Sequence, residues 1–278
     1  NVFSVTKSIV SILLGIALDR GCLGSIDQQV LEFFPEYTPK RGEKTIQNIT
    51  IRDMLPMTAP YKYRSTPYTK DFTSPDWVRF SLDLLGGKGP VGEFRYAPLI
   101  GPDILTGILT RVTGQSVLDF AKEHLFAPLG IPVEQSITFR SREELMAFYE
   151  STDLRVWAAD PMGVNAGGWG LTLSPMDMAN IGELILHGGV YDGTRIVSEK
   201  WVRESTAEQS RWAERDLPYG YLWWVLPQGH GFAAMGDGGN ALYVSPDKNL
   251  VAAITSHFQP RVKDRIELIR TYVAPCFD

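Results

Sequence analysis

Two residues near the start of the chain have the types and the spacing for nucleophilic chemistry. In Ser4-Val5-Thr6-Lys7 a hydroxyl and an amine stand three residues apart, which on a helix puts them on one face and within reach of each other. A serine hydroxyl becomes a competent nucleophile when a base takes its proton. A lysine amine is such a base when its surroundings keep it neutral. Three features of the segment favour that. The positive end of a helix disfavours a second cation. The apolar run from Ile9 to Leu18 predicts burial, which penalises charge. The free N–H groups of a first helical turn can hold an oxyanion. The same spacing recurs in Ser245-Pro246-Asp247-Lys248, but a Pro-Asp pair between two strand-like segments reads as a solvated turn.

Other chemistries find less support. The four histidines, His124, His187, His230 and His257, stand in no His-Glu-x-x-His pattern, and the cysteines, Cys22 and Cys276, are unpaired in spacing. Neither a zinc site nor a disulfide framework is therefore expected. No Gly-x-Ser-x-Gly elbow is present, which argues against an α/β-hydrolase triad. Gly86-Gly87-Lys88-Gly89 lacks phosphate-loop spacing and reads as a turn. No cofactor is implied. The net charge of −5 over 278 residues argues against nucleic acid or an anionic membrane as partner. The longest apolar stretch is too short to span a bilayer. A small-molecule substrate is the expected partner. Oligomeric state and compartment are not legible. Hydrophobic content of 44% and charged content of 21% are those of a globular chain with a sizeable core.

The elements that must position the pair can be read from periodicity and caps. Ser8 to Arg20 is apolar nearly all round, predicting a buried helix ended by Gly21. Thr50 to Leu55 reads as a capped short helix, Pro75 to Leu85 as a helical patch, and Asp103 to Val112 and Ser116 to Leu125 as amphipathic helices. Helices are also expected near Glu143 to Tyr149, Ser174 to His187, Ser198 to Glu208 and Arg261 to Tyr272. The period then alternates, predicting strands over Tyr219 to Val225, Gly231 to Met235, Ala241 to Val244 and Leu250 to Ser256. The expected fold class is α+β, with an antiparallel sheet flanked by helices and a mostly helical part inserted.

With this order of elements, the chain resembles the serine β-lactamase, penicillin-binding protein and esterase superfamily, on its class C-like side. Phe3-Ser4-Val5-Thr6-Lys7-Ser8 is similar to the nucleophile segment. Thr50-Ile51-Arg52-Asp53-Met54-Leu55-Pro56-Met57-Thr58 resembles the stretch that follows, with Ala59-Pro60 in place of Ser-Gly. Phe94-Arg95-Tyr96, then Leu105-Thr106-Gly107 and Thr113-Gly114-Gln115, resembles the tyrosine segment and its helix. Phe126-Ala127-Pro128-Leu129-Gly130-Ile131, Gly167-Gly168-Trp169-Gly170-Leu171 and Ser174-Pro175-Met176-Asp177-Met178-Ala179 continue the likeness. Gly236-Asp237-Gly238-Gly239-Asn240 resembles the end of the last active-site strand. The likeness covers nearly the whole chain in order.

The resemblance implies a β-lactamase/transpeptidase-like fold, with residues 1–25 and 170–278 forming the sheet-bearing part and 26–169 a helical insertion. The strands that precede the nucleophile helix in that family have no counterpart before Ser4 and are expected to be missing. It implies Ser4 as nucleophile, Lys7 as its base, and Tyr96 as a proton shuttle, partly phenolate between two ammonium groups, with a structural tyrosine as the alternative. The backbone N–H groups of Ser4 and Asp237 would form the oxyanion hole. Gly236, Gly238, Trp169 and Tyr61 are the substrate-binding candidates, with Trp157 as a further possible wall and ordinary packing the alternative for each aromatic. Pro98 stands where the second motif usually has Asn, and proline offers neither a side-chain amide nor an N–H. Ala234 stands where the third usually has Lys or His, so no cation there grips a carboxylate. The expectation is a serine hydrolase, an esterase or amidase whose substrate lacks a terminal carboxylate. A non-catalytic binding protein on the same fold and a β-lactamase or D-amino-acid peptidase are the alternatives.

Overall fold

The computed structural model describes residues 1–258 and 261–277. The first helix, α1 (Val5–Asp19), is buried on every side except its last residues, as an apolar sequence without a polar face demands. Short 3₁₀ turns at Val30–Phe33 and Thr45–Asn48 lead to α2 (Ile51–Met54), which starts in a reciprocal capping box between Thr50 and Asp53. α3 (Tyr68–Phe72), α4 (Trp77–Leu84), α5 (Ile100–Thr113) and α6 (Val117–Ala121) follow. α5 ends on Gly114 in the left-handed conformation that glycine adopts at no steric cost. A parallel pair, β1 (Gln135–Ile137) and β2 (Val156–Ala158), brackets α7 (Arg142–Glu150). Then come α8 (Pro175–Leu186), the hairpin β3 (Val190–Tyr191) and β4 (Thr194–Arg195), and α9 (Glu199–Ser205).

The main sheet comprises β5 (Ser210–Trp212), β6 (Leu217–Tyr219), β7 (Trp224–Val225), β8 (Phe232–Gly236), β9 (Asn240–Ser245) and β10 (Leu250–Ile254). All neighbours are antiparallel, in the order β10-β9-β8-β7-β6-β5. α10 (Arg265–Leu268) continues as irregular helical turns to Phe277 and packs with β9 and β10 in a small second core.

α1 lies at the centre of the main core, between α5, α9 and the sheet. Gly15 lets the Trp201 indole approach, since a Cβ there would stand 2.2 Å from the ring. The Trp201 Nε1–H also donates to the Ser11 carbonyl at 2.9 Å. Ser8 Oγ donates to the Leu222 carbonyl at 2.7 Å. These bonds fix both the rotation of α1 and its height over the sheet.

Three expectations for the elements are corrected. Tyr219 to Val225 is not one strand, because the chain turns over residues 220–223, with Leu222 at φ +63° and Gly220 N–H bonded to Trp223 O at 2.8 Å. A Cβ at Gly220 would meet the Ser205 carbonyl at 2.2 Å, so α9 dictates that turn. β5 and the β1–β2 pair have no strong alternation in sequence and were not expected. The last helix begins at Arg265 rather than Arg261, because Asp264 caps it through the N–H groups of Ile266 and Glu267.

Candidate active site

The site is built where α1 begins. Phe3 has φ +48°, a conformation that costs a residue with a Cβ of order 1 kcal/mol. Asn1 Oδ1 braces it by accepting from the Phe3 N–H at 2.9 Å and the Gly170 N–H at 3.3 Å. Ser4 is the N-cap of α1, yet its side chain caps nothing. Its hydroxyl instead accepts from Lys7 Nζ at 2.9 Å. The same amine donates to the Gly168 carbonyl at 2.8 Å. Lys7 is buried, with 1% of its surface exposed. Burial lowers its pKa from the ordinary lysine value to about 7, against the pull of the Asp237 and then the Asp103 carboxylates.

Tyr96 stands opposite, in the segment leading to α5. Its ring centroid is 5.3 Å from Lys7 Nζ, and Ser4 lies close enough to its hydroxyl to pull the phenol's pKa down. Trp224 stacks on the ring with centroids 5.6 Å apart, and Tyr219 meets it edge-on. The expected partial phenolate is corrected. Burial raises this phenol well above the usual tyrosine range, with Asp237 and Tyr68 pushing the same way and Ser4 opposing. That direction favours the neutral phenol over the phenolate.

The end of β8 runs beside the nucleophile. A Cβ on Gly236 would stand 2.1 Å from the Val2 carbonyl and 3.2 Å from Ser4 N, so only glycine allows this approach. Gly238 is in the left-handed conformation and is pressed against the backbone of Phe258. Asp237 is exposed at the end of that strand, yet its charge reaches Lys7, Tyr96, Tyr68 and Tyr149. Ala234 is buried in β8 and contributes no charge. Pro98 meets Gly168 through its backbone, since a Cβ on Gly168 would lie 2.1 Å from the Pro98 carbonyl.

Three wall candidates are corrected. Tyr61 is in the core beside Tyr63, with its hydroxyl against Gly101. Trp169 is also buried, in an aromatic cluster with Phe72, Trp77, Phe139, Phe148 and Tyr149. Trp157 is wholly buried and donates to the Ala166 carbonyl at 2.8 Å. A different set of aromatics gathers around Phe3, the residue before Ser4. Phe3 lies between Tyr149 and Phe258, each 5.4 Å away by centroids, and Tyr68 is half exposed beside them. Apart from Phe3, none of these carries a motif.

Sequence reasoning also missed a group of buried carboxyls. Asp103 in the first turn of α5 accepts from the Gly167 N–H at 2.8 Å. Burial raises it to about 7, with the Gly167 bond and Lys7 pulling it down. Asp71 in α3 is fully buried, and neither of its oxygens has a partner among the described residues. Burial, with Asp103 and Asp160 nearby, pushes it up to about 9. The signal available in sequence was an aspartate opening the apolar helix that starts near residue 103. Among the described residues no group of three or more His, Cys, Asp or Glu side chains could hold a metal ion, and no helix is long and apolar enough to cross a membrane.

An antiparallel sheet with a buried helix laid along it, and a serine at that helix's start, define a β-lactamase/transpeptidase-like fold. The family model described as Beta-lactamase matches residues 1–274, and the chain belongs to that family. A curated relative, the 6-aminohexanoate-dimer hydrolase of Paenarthrobacter ureafaciens, is 25% identical over 265 residues, which is 87% of this chain. The chain spans 62% of that relative's length. Among solved structures it is similar to a penicillin-binding protein homologue from Caulobacter crescentus, with TM-score 0.67 and 19% identity over 93% of this chain and 77% of that one. It is also similar to EstCE1, a hydrolase with promiscuous acyltransferase activity, with TM-score 0.69 and 17% identity over 93% of this chain and 80% of that one. These last two likenesses bear on the fold alone.

Proposed function

We propose that the protein is a serine hydrolase that cleaves an ester or amide through an acyl-enzyme on Ser4. One observation carries the reading: Ser4 Oγ is bonded to a buried Lys7 amine at 2.9 Å, and the Tyr96 ring stands 5.3 Å from that amine. In acylation Lys7 takes the Ser4 proton as Oγ attacks the carbonyl. The N–H groups of Ser4 and Asp237 hold the oxyanion. Tyr96 passes a proton to the leaving oxygen or nitrogen and is reprotonated from Lys7. Water then attacks the acyl carbonyl, Lys7 again serves as base, and the acid leaves with Ser4 restored.

Within that class, the substrate lacks a terminal carboxylate near the Ser4 rim. The Asp237 carboxylate, whose charge reaches Lys7, repels one, and Ala234 offers no cation to hold it. Neutral or cationic acyl groups fit this field and the rim of Phe3, Tyr149 and Tyr68. The relative named for 6-aminohexanoate dimer makes short linear amides sensible first substrates beside short acyl esters.

Incubation with an alkyl fluorophosphonate tests the mechanism. Intact-mass analysis is expected to show one phosphonyl adduct on a peptide containing Ser4, absent in Ser4→Ala. A folded wild-type chain that stays unmodified and turns over no ester or amide would sink the reading in favour of a binding protein. Efficient turnover of a chromogenic cephalosporin would overturn the substrate class while leaving the mechanism.

A further inference from the structure

We infer that Asp103 is a positioning residue for Lys7: through the Gly167 N–H its carboxyl fixes the Gly168 carbonyl to which the lysine amine is bonded. The inference rests on the reading of Lys7 as the base for Ser4. The links are short and continuous. Asp103 Oδ1 accepts from Gly167 N at 2.8 Å, and Lys7 Nζ donates to Gly168 O at 2.8 Å and to Ser4 Oγ at 2.9 Å. The glycine pair has no room to shift toward α5. A Cβ on Gly167 would stand 2.1 Å from the Pro102 carbonyl, and one on Gly168 would stand 2.1 Å from the Pro98 carbonyl. The preceding residues are pinned as well, since Asn165 Oδ1 accepts from Leu118 N–H and Ala166 O accepts from the Trp157 indole. The amine's seat is therefore set by the first turn of α5, where Pro98 itself supplies only a carbonyl.

The arrangement also decides how much charge Lys7 bears. A fully ionised Asp103 beside it would hold the amine as an ammonium, useless as a base. Asp103 is instead buried with one oxygen unpartnered among the described residues, and two further carboxyls face it, Asp71 from α3 and Asp160 from the loop after β2. Lys7 is faced in addition by Asp237 at the end of β8 and by the Tyr96 phenol. Burial, and to a smaller extent Asp160, raise Asp103 above the ordinary carboxylate range, so only a partial negative charge stands beside Lys7 and the amine can still lose its proton.

The test is the rate of Ser4 acylation by a p-nitrophenyl ester as a function of pH in wild type, Asp103→Asn and Asp103→Leu. Asn keeps an oxygen for the Gly167 N–H but no charge. Its plateau rate is expected within about threefold of wild type, and its acid limb displaced to lower pH by on the order of half a unit to one unit, because a charge that favoured the ammonium is gone. Leu removes the acceptor and is expected to slow acylation by about 10- to 100-fold at every pH, since the amine is no longer aimed. An Asn limb that coincides with wild type, or a Leu variant as fast as wild type, overturns the inference. If neither variant folds by circular dichroism, ¹³C NMR of the wild type decides: the Asp103 carboxyl and the Lys7 ε-carbon must titrate in step, and independent titration overturns it. Absence of acylation in folded wild type would count against Ser4 as nucleophile, while the NMR titration still reads the Asp103–Lys7 link.

Discussion

Lys7 can accept a proton from Ser4 only in the fraction of molecules where its amine is neutral. Burial brings that amine to about 7, so the competent form is lost as pH falls through 7 and saturates above it. The acylation rate is expected to rise along a single limb centred near pH 7 and then level off, which stopped-flow measurement of p-nitrophenol release would show. A limb centred near an ordinary lysine value would contradict it. Lys7→Arg puts a permanent cation in the same seat, and acylation should drop by about 10²- to 10⁴-fold. Ser4, Lys7 and Tyr96 stand out in the sequence because two short motifs in a fixed order mark them, and the fold sets the three close together. Asp103, Asp71, Tyr68 and Tyr149 do not, since what singles them out is burial and cross-chain proximity, which no local spacing encodes. The same blindness produced the phenolate expectation for Tyr96. A motif names the tyrosine, but the burial that raises its phenol comes from rings such as Tyr219 and Trp224, which meet it only in the fold.

Among the elements, α1 and β8 carry the most consequence, because their near contact would aim the N–H groups proposed to hold the oxyanion. Gly236→Ala would place a methyl 2.1 Å from the Val2 carbonyl and 3.2 Å from Ser4 N, prising β8 off the start of α1. The expected outcome is a kcat lowered by about 10²- to 10³-fold, the cost of losing one such donor, with the circular dichroism spectrum unchanged. A variant with wild-type kcat would show that β8 contributes nothing to the oxyanion. The long amphipathic helices and the capped α2 were readable because periodicity and caps are local. The break between β6 and β7 was not, since Leu222 is held at positive φ by bonds to α1 and to Leu55 that lie far away in sequence.

For the molecule as a whole, the buried carboxyls are a stability liability with a definite pH signature. Asp71 is raised to about 9 in the folded state, chiefly by burial, whereas an unfolded aspartate titrates near 4. Its contribution to stability is therefore intact below about pH 4 and drains away as pH rises toward 9. Asp71→Asn should melt higher than wild type by about 2–5 °C in mildly alkaline buffer and show no gain in acid, as calorimetry at two pH values would reveal. An Asn variant no more stable in alkali would mean that Asp71 is not held protonated. The placement of α1 at the centre of the core has a different outcome, for the history such a molecule can have. Positions flanking Ser4 and Lys7, such as Val5, Ile9 and Ile12, are fully buried, so almost any exchange there costs folding before it can alter chemistry. Tyr68 and Phe258 are half exposed, and Tyr149 partly so. Innovation in what is attacked must come through those rim residues, and a library built on them would diversify substrates while leaving the attacking machinery untouched.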